Sequence, residues 1–389
     1  MPRYPESDSA IDELSGSVFT ALAPRIAALE GEVYPLHAGD TWLEPDPAFD
    51  CRTVQAIESV QPHRYSNPHG IPPLLRALVD KVRAKNRIPV EGTENVLVTA
   101  GATGALHAVV RTTMSAGDEA LLLAPYWPLI RGAVVLAGGV PVEVPLLGDS
   151  LSADVVRCAL EERLTRRTVA VYVNTPCNPT GWVLATPLLE AIADFARAHG
   201  LWIWSDEVYE DYAYSGDHHS IAALAPERTL TVFSFSKAYG VAGYRCGYMV
   251  GPRDLVTSAR TAAAYIWYSV PTPSQLAAVR ALEFGDAWME RARDAYRAAG
   301  EDAADRLGVP RPEGGTFLFL DVTRHLDERG LAGFLESCLE DNLVLAPGTS
   351  FGSSFDTWVR LCFTCVAPDV VKRGVDRLAR RLNTASGAT

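Results

Sequence analysis

Between residues 95 and 250, short runs of aliphatic and β-branched residues alternate with stretches whose apolar positions recur at helical spacing. The runs occupy 96–99, 120–123, 168–173, 201–204, 230–233 and 247–250. Strands and helices taking turns in this way predict a mostly parallel sheet covered on both faces. The last run follows its predecessor with no helix between, which suits an antiparallel course. Beyond Pro252 the pattern changes: a long helical stretch at 273–307 precedes strand-like runs at 315–320, 343–346 and 358–363, and a helix at 368–382 closes the chain. This is the pattern of a smaller α+β unit, on which a helix-like segment at 11–30 is expected to pack.

Five polar or glycine-containing segments follow the carboxyl ends of these strands: Gly101 to Gly104, Tyr126 with Trp127, Asn178 to Gly181, Asp206 to Tyr209, and Ser234 to Lys237. In an open α/β sheet that edge is where ligands bind, so the five predict one composite site. Lysine is scarce, four residues against thirty-one arginines, and three of the four lie on charged helical segments. Lys237 instead follows an apolar strand, where a partly desolvated amine has a lowered pKa and can attack a carbonyl carbon.

A chain of 389 residues, 48% hydrophobic, can bury more than one core. The net charge of −12 comes from interspersed carboxylates, with no basic run to follow a phosphate backbone, so nucleic acid is not an expected partner. No apolar run approaches the ~18 residues a membrane span needs, and residues 1–10 lack a signal pattern; a cytoplasmic protein is expected. Seven scattered cysteines fit reduced thiols, and Cys362 with Cys365 reads as core cysteines on a strand, not as a metal or redox pair.

The order and spacing of these residues resemble the fold-type I aminotransferases that depend on pyridoxal 5′-phosphate, in the class I/II branch of the aspartate aminotransferase superfamily. The carriers are Tyr65 with Gly70 and Arg76, Gly101 to Gly104, Pro125 to Trp127, Asn178 to Gly181, Ser205 to Tyr209, Ser234 to Lys237 with Arg245, and Arg360. The resemblance implies a large domain with a mostly parallel seven-stranded sheet between helices, and a smaller α+β domain drawn from both termini. The corresponding segments are an arm at 1–45, a cofactor-binding domain at 46–285 and a C-terminal domain at 286–389.

It also implies roles. Lys237 holds the cofactor as a Schiff base and shuttles the proton from the substrate's α-carbon. Asp206 pairs with the pyridinium nitrogen, and Tyr209 and Asn178 hydrogen-bond the ring's phenolic oxygen. Ala102, Thr103, Gly104, Ser234, Ser236 and Arg245 receive the phosphate, joined by Tyr65 from a second subunit, which makes a homodimer the expected assembly. Trp127 stacks on the ring. Arg360 takes the substrate's α-carboxylate with Gly39 lining the other side; read without the family, it is an arginine in an apolar strand that needs an anion.

Three other readings fail on the sequence. A dinucleotide loop at Gly101 to Gly104 would need its first glycine at Thr99. The S-x-x-K of acyl-serine enzymes at Ser234 lacks its S-D-N and K-T-G companions. A regulator with a fused DNA-binding module needs on the order of 50 residues ahead of the fold, whereas the pattern here begins within the first forty.

The cofactor residues do not choose the reaction. Transamination of an L-amino acid with a 2-oxo acid is the branch's common outcome, with a lyase or a cyclase of the capreomycidine-synthase kind as the alternative. Where dicarboxylate-specific relatives place a lysine, this chain has Ala102 and Thr103, while Phe19, Trp42, Trp267, Tyr268 and Phe351 are candidates for an aromatic pocket. An aromatic, large apolar or cationic side chain is expected in preference to a dicarboxylic one.

Overall fold

The computed structural model describes residues 9–12, 14, 23–146 and 151–385. Seven strands form the larger sheet: β1 (Val96–Thr99), β2 (Glu119–Ala124), β3 (Val140–Pro145), β4 (Thr168–Asn174), β5 (Trp202–Asp206), β6 (Thr229–Ser234) and β7 (Gly247–Val250). Their order is β1-β7-β6-β5-β4-β2-β3, and only β7 runs antiparallel to its neighbours. Six carboxyl ends therefore open on one edge. The strand that the sequence pattern did not announce is β3, whose two prolines cannot donate to a ladder; it takes the sheet's outer edge, where its free side needs no partner.

The central strands read as continuous apolar runs because both faces are covered. On β4, Ala170 and Tyr172 face the layer of helices Gly101–Thr113 and Arg253–Ile266, while Val171 and Val173 face helices Ala153–Glu161 and Thr186–His199.

A second, antiparallel sheet has the order β8-β10-β9, with β8 at Phe317–Asp321, β9 at Ala346–Pro347 and β10 at Trp358–Cys362. Helices Asp286–Leu307, Gly330–Glu340 and Pro368–Ala385 cover it. The helical stretch expected at 273–307 is two helices, Thr272–Phe284 and Asp286–Leu307. The break at Gly285 is where the Tyr239 ring approaches so closely that a Cβ would meet it at 2.5 Å. Of the strand expected at 343–346, only Ala346 joins β10, while Leu343 forms a single bridge to Tyr34.

The amino-terminal segment departs from its expectation. Tyr34 and Leu36 do join the smaller core, and Arg25 pairs with Glu336 at 2.8 Å. The short helix Ser9–Asp12, however, packs on helix Leu129–Leu136 beside the larger sheet. Where the pattern predicts a helical segment over 11–30, the described residues hold the end of Ser9–Asp12 and the five-residue helix Ala23–Ala27, and periodicity could not say which of two surfaces each would meet. Among the described residues, no helix is long and apolar enough to cross a membrane.

Helix Pro72–Ala84 is tied to the loop after β5 by a buried ion pair, Lys81 with Glu210, which Asn86 also contacts. Burial opposes both charges, but each holds the other: Lys81 is raised, and Glu210 is lowered to about 2. A carboxylate whose folded pKa lies below its unfolded value adds stability above about pH 4.5, and that contribution is lost as pH falls toward 2. Lys81→Met should leave the buried carboxylate with only Asn86 and the more distant Lys85 and His218 to hold it, and cost about 3 kcal/mol in a urea unfolding titration at pH 7. The cost should shrink as the pH is lowered through 4.

Candidate active site

The carboxyl ends of β1, β2, β4, β5 and β6, together with the middle of β10, border one cavity of about 870 Å3. Asp206, the last residue of β5, is buried at its floor. Its Oδ2 accepts from the Tyr172 hydroxyl at 2.9 Å and its Oδ1 from the Val208 amide at 3.3 Å. Burial pushes the carboxyl up to about 6, and the two donors oppose a further rise. Neither partner is a cation, so the carboxylate is suited to receive one from a ligand.

Lys237 lies in the single-turn helix Phe235–Ala238 that follows β6. Its Nζ donates to the Gly39 carbonyl at 2.5 Å and stands 3.8 Å from Asp40 Oδ1. Burial lowers its pKa, and Arg360 and Arg245 lower it further, against Asp40 and Cys362. A larger share of free amine follows, the form that attacks a carbonyl carbon.

Arg360 is 6% exposed at the centre of β10. Nη1 donates to Asn178 Oδ1 at 2.9 Å and Nη2 to the His37 carbonyl at 2.6 Å; Nε is buried without a hydrogen-bond partner. The guanidinium lies over the rings of Phe317 and Phe351, at 4.3 and 4.9 Å. Burial lowers its pKa, and no carboxylate is among the groups acting on it. Since Arg360 occupies Oδ1 of Asn178, the amide's Nδ2 is the end left to donate into the cavity. Tyr209 is buried with its edge toward Phe317, and desolvation raises its phenol.

At the other end, helix Gly101–Thr113 begins immediately after β1, and Ala102, Thr103, Ser234, Ser236 and Arg245 border the same space. Gly101 has φ +70°, and a Cβ there would fall 2.3 Å from Arg245 Nη2, so only glycine allows the arginine this close to the helix start. First-turn amides, two hydroxyls and a guanidinium together can hold a phosphate dianion. Trp127 and Gly39 also line the cavity.

Other expected residues do not border this cavity within the one chain. Gly104 opens the same helix but turns its Cα toward Trp267, 3.5 Å from where a Cβ would sit. Tyr65 is 89% exposed with its ring against Tyr268, away from this cavity. Trp42 packs edge-on to Tyr296 and lines a separate depression beside Trp288. Phe19 lies outside the described residues. Cys362 ends β10 and Cys365 turns back to donate to its carbonyl at 3.3 Å, so strand alternation does not extend across the pair.

The sequence reading missed Tyr172, which no local pattern separates from its apolar neighbours, and the contribution of Leu14 to the cavity wall. It also missed Glu143, which accepts from Tyr126 at 2.6 Å and from the Ser353 amide and hydroxyl at 2.9 and 2.6 Å, joining the two sheets' loops across the cavity.

The family model for aminotransferase class I and II matches residues 41–378. The chain belongs to this family of aminotransferases. The aspartate/prephenate aminotransferase of Thermus thermophilus is 34% identical over 83% of this chain and 84% of its own. Aromatic-amino-acid aminotransferase 2 of Thermococcus litoralis is 32% identical over 82% of this chain and 84% of its own. The solved aspartate aminotransferase from Thermus thermophilus with maleate superposes with a TM-score of 0.88 at 31% identity, covering 97% of this chain and 100% of that one. Class I and II aminotransferases use pyridoxal 5′-phosphate. The cavity of this aminotransferase fits that group: a nucleophilic lysine, a buried carboxylate lacking a cation and an anion cradle border one space.

The Tyr172 bond yields a test on the aminotransferase's own residues. Tyr172→Phe removes the donor that opposes the rise of the Asp206 pKa, which should climb by about one unit. Titrating the cofactor into the apoprotein between pH 5 and 8 should then show affinity lost from the acid side first, because only the ionised carboxylate attracts a cation.

Proposed function

We propose that this aminotransferase moves the amino group of an L-amino acid with an aromatic, large apolar or cationic side chain to a 2-oxo acid. The observation that carries the reading is Arg360, a buried cation with no carboxylate acting on it, facing the same cavity as the amine of Lys237. A substrate α-carboxylate supplies that counter-charge, and the remaining hydrogens of Nη1 and Nη2 give it a bidentate grip. Gly39 closes the opposite side of that position, leaving room for the carboxylate and the α-carbon. The name of the Thermococcus relative supports an aromatic donor, and Thr103 adds no charge to bind a distal carboxylate.

Pyridoxal phosphate supplies, when bound, a carbonyl carbon for covalent attachment and a cationic ring that accepts electrons from the α-carbon. Lys237 would provide the covalent anchor, and its amine, when free, would carry the substrate's α-proton. Asp206 would hold the ring nitrogen protonated through a buried ion pair. Tyr209 and the Nδ2 of Asn178 donate to the phenolic oxygen. Trp127 covers the ring's face and excludes water. Arg245, Ser234, Ser236 and the amides of Ala102 and Thr103 would bind the phosphate.

The active assembly in this proposal is a homodimer. Tyr65 and Tyr265, 89% and 91% exposed, lie with Ile266 and Tyr268 on an aromatic patch of the kind that marks a protein interface. Tyr65 of each subunit then completes the phosphate site of the other.

Purified protein should carry a visible absorbance band that borohydride abolishes, with the label on Lys237; a label elsewhere would overturn its assignment. Arg360→Gln should lower kcat/KM for the amino donor by about 30-fold or more, since a buried ion pair is broken, while the band stays. Without an acceptor, one equivalent of 2-oxo acid per site should form and then stop until a second 2-oxo acid is added. Continuous turnover with ammonia release would instead identify a lyase. Sedimentation should give twice the chain mass, and Tyr265→Asp should shift it toward the monomer.

A further inference from the structure

The lining of the cavity extends beyond the residues assigned above to the cofactor and the substrate's α-carboxylate. Past Trp127 it continues as an arm between two helices, Gly101–Thr113 and Leu129–Leu136. Leu106 and His107 border it from the first, and burial presses His107 toward its neutral form. The second presents Leu129, Gly132, Ala133 and Leu136, spaced i, i+3, i+4, i+7 and so aligned on one helix face. A surface helix normally places polar residues where water reaches, yet Leu129 and Leu136 are 48% and 46% exposed.

Gly132 lies in the helix interior, where glycine is destabilising relative to alanine. No crowding demands it: a Cβ there would touch only Leu14 Cδ2, at an ordinary 3.4 Å. What glycine leaves is open volume beneath Leu14, continuous with the space beside Lys237.

Charge narrows what can enter. Of the cations lining the cavity, Lys237 and Arg245 serve the cofactor, Arg360 takes the α-carboxylate, and Arg131 acts on Glu143. Of the anions, Asp206 serves the cofactor, and Glu143 is engaged by Tyr126, Ser353 and Arg131. Among the described lining residues of the one chain, no charge of either sign is left over for a distal carboxylate or a distal amine.

We infer that this arm binds the substrate's side chain, that it takes a large uncharged apolar or aromatic group, and that Gly132 keeps it open. This rests on the aminotransferase reading above and narrows it, setting cationic donors aside along with dicarboxylic ones.

The test is the single-turnover reaction of the holoenzyme with phenylalanine, alanine, aspartate and arginine, for wild type, Gly132→Ala, Gly132→Phe and Leu136→Glu. Wild type should react with phenylalanine about 100-fold more efficiently than with alanine, aspartate or arginine, the factor that burying an aromatic side chain provides. Gly132→Phe should lower the phenylalanine-to-alanine ratio about 100-fold without altering the cofactor band, and Gly132→Ala should lower it less. Leu136→Glu, which keeps the helix should the larger replacement fail to fold, should shift preference from phenylalanine toward arginine. An unchanged ratio, a wild-type preference for aspartate or arginine, or a change of sedimentation in Gly132→Phe would overturn the inference; the last would make this face an interface between copies. Absence of the band, or of 2-oxo acid from every donor, would instead sink the underlying reading.

Discussion

Arg360 is a full positive charge held out of water, with the Cys362 thiol but no carboxylate among the groups acting on it. A lone buried ion is among the most costly things a fold can contain, and the protein lowers the cost with what it has: the Asn178 amide, the His37 carbonyl and two aromatic faces. Those partners are neutral. The same holds for Asp206, which is steadied by a phenol and a backbone amide. The site is thus built around charges left incomplete, and an amino acid joined to a cationic ring with a phosphate tail completes them.

Bringing these groups together is the task of the topology. Parallel strands with helical crossovers deliver loop after loop to one edge, so Asp206, Lys237, Trp127 and the start of helix Gly101–Thr113 meet although 136 positions separate Gly101 from Lys237. Because β7 runs antiparallel, its amino end lies at that edge, and Arg245 sits in the connection just before it. Arg360 arrives from a different sheet altogether, and its grip on Asn178 and His37 joins three distant parts of the chain. Glu143, reaching from β3 to Ser353, makes a second link of the same kind.

Much of this was legible beforehand because the chemistry sits in short, local signals. A glycine at a strand-to-helix turn, an aspartate closing an apolar strand and an isolated lysine after another each carry their meaning within a few residues. The six strand runs of the larger sheet were legible for the same reason, since a strand buried on both faces is a plain apolar run. Its seventh strand, β3, was not: prolines mask it, and only its edge position makes them tolerable.

The sequence by itself determined the identity of the reactive groups and the order in which the fold presents them. Tertiary structure alone decided what surrounds each one. Trp42 and Trp127 are both aromatic residues near glycine or proline, yet one packs on Tyr296 and the other lines the cavity. Tyr172 reads as one more strand residue until β4 is laid beside β5 and its hydroxyl meets Asp206. The face of helix Leu129–Leu136 reads as core until the packing leaves two of its leucines half exposed. The physical reason is common to all three: periodicity encodes which side of an element turns away from water, whereas the partner it meets there depends on contacts between residues far apart in the chain.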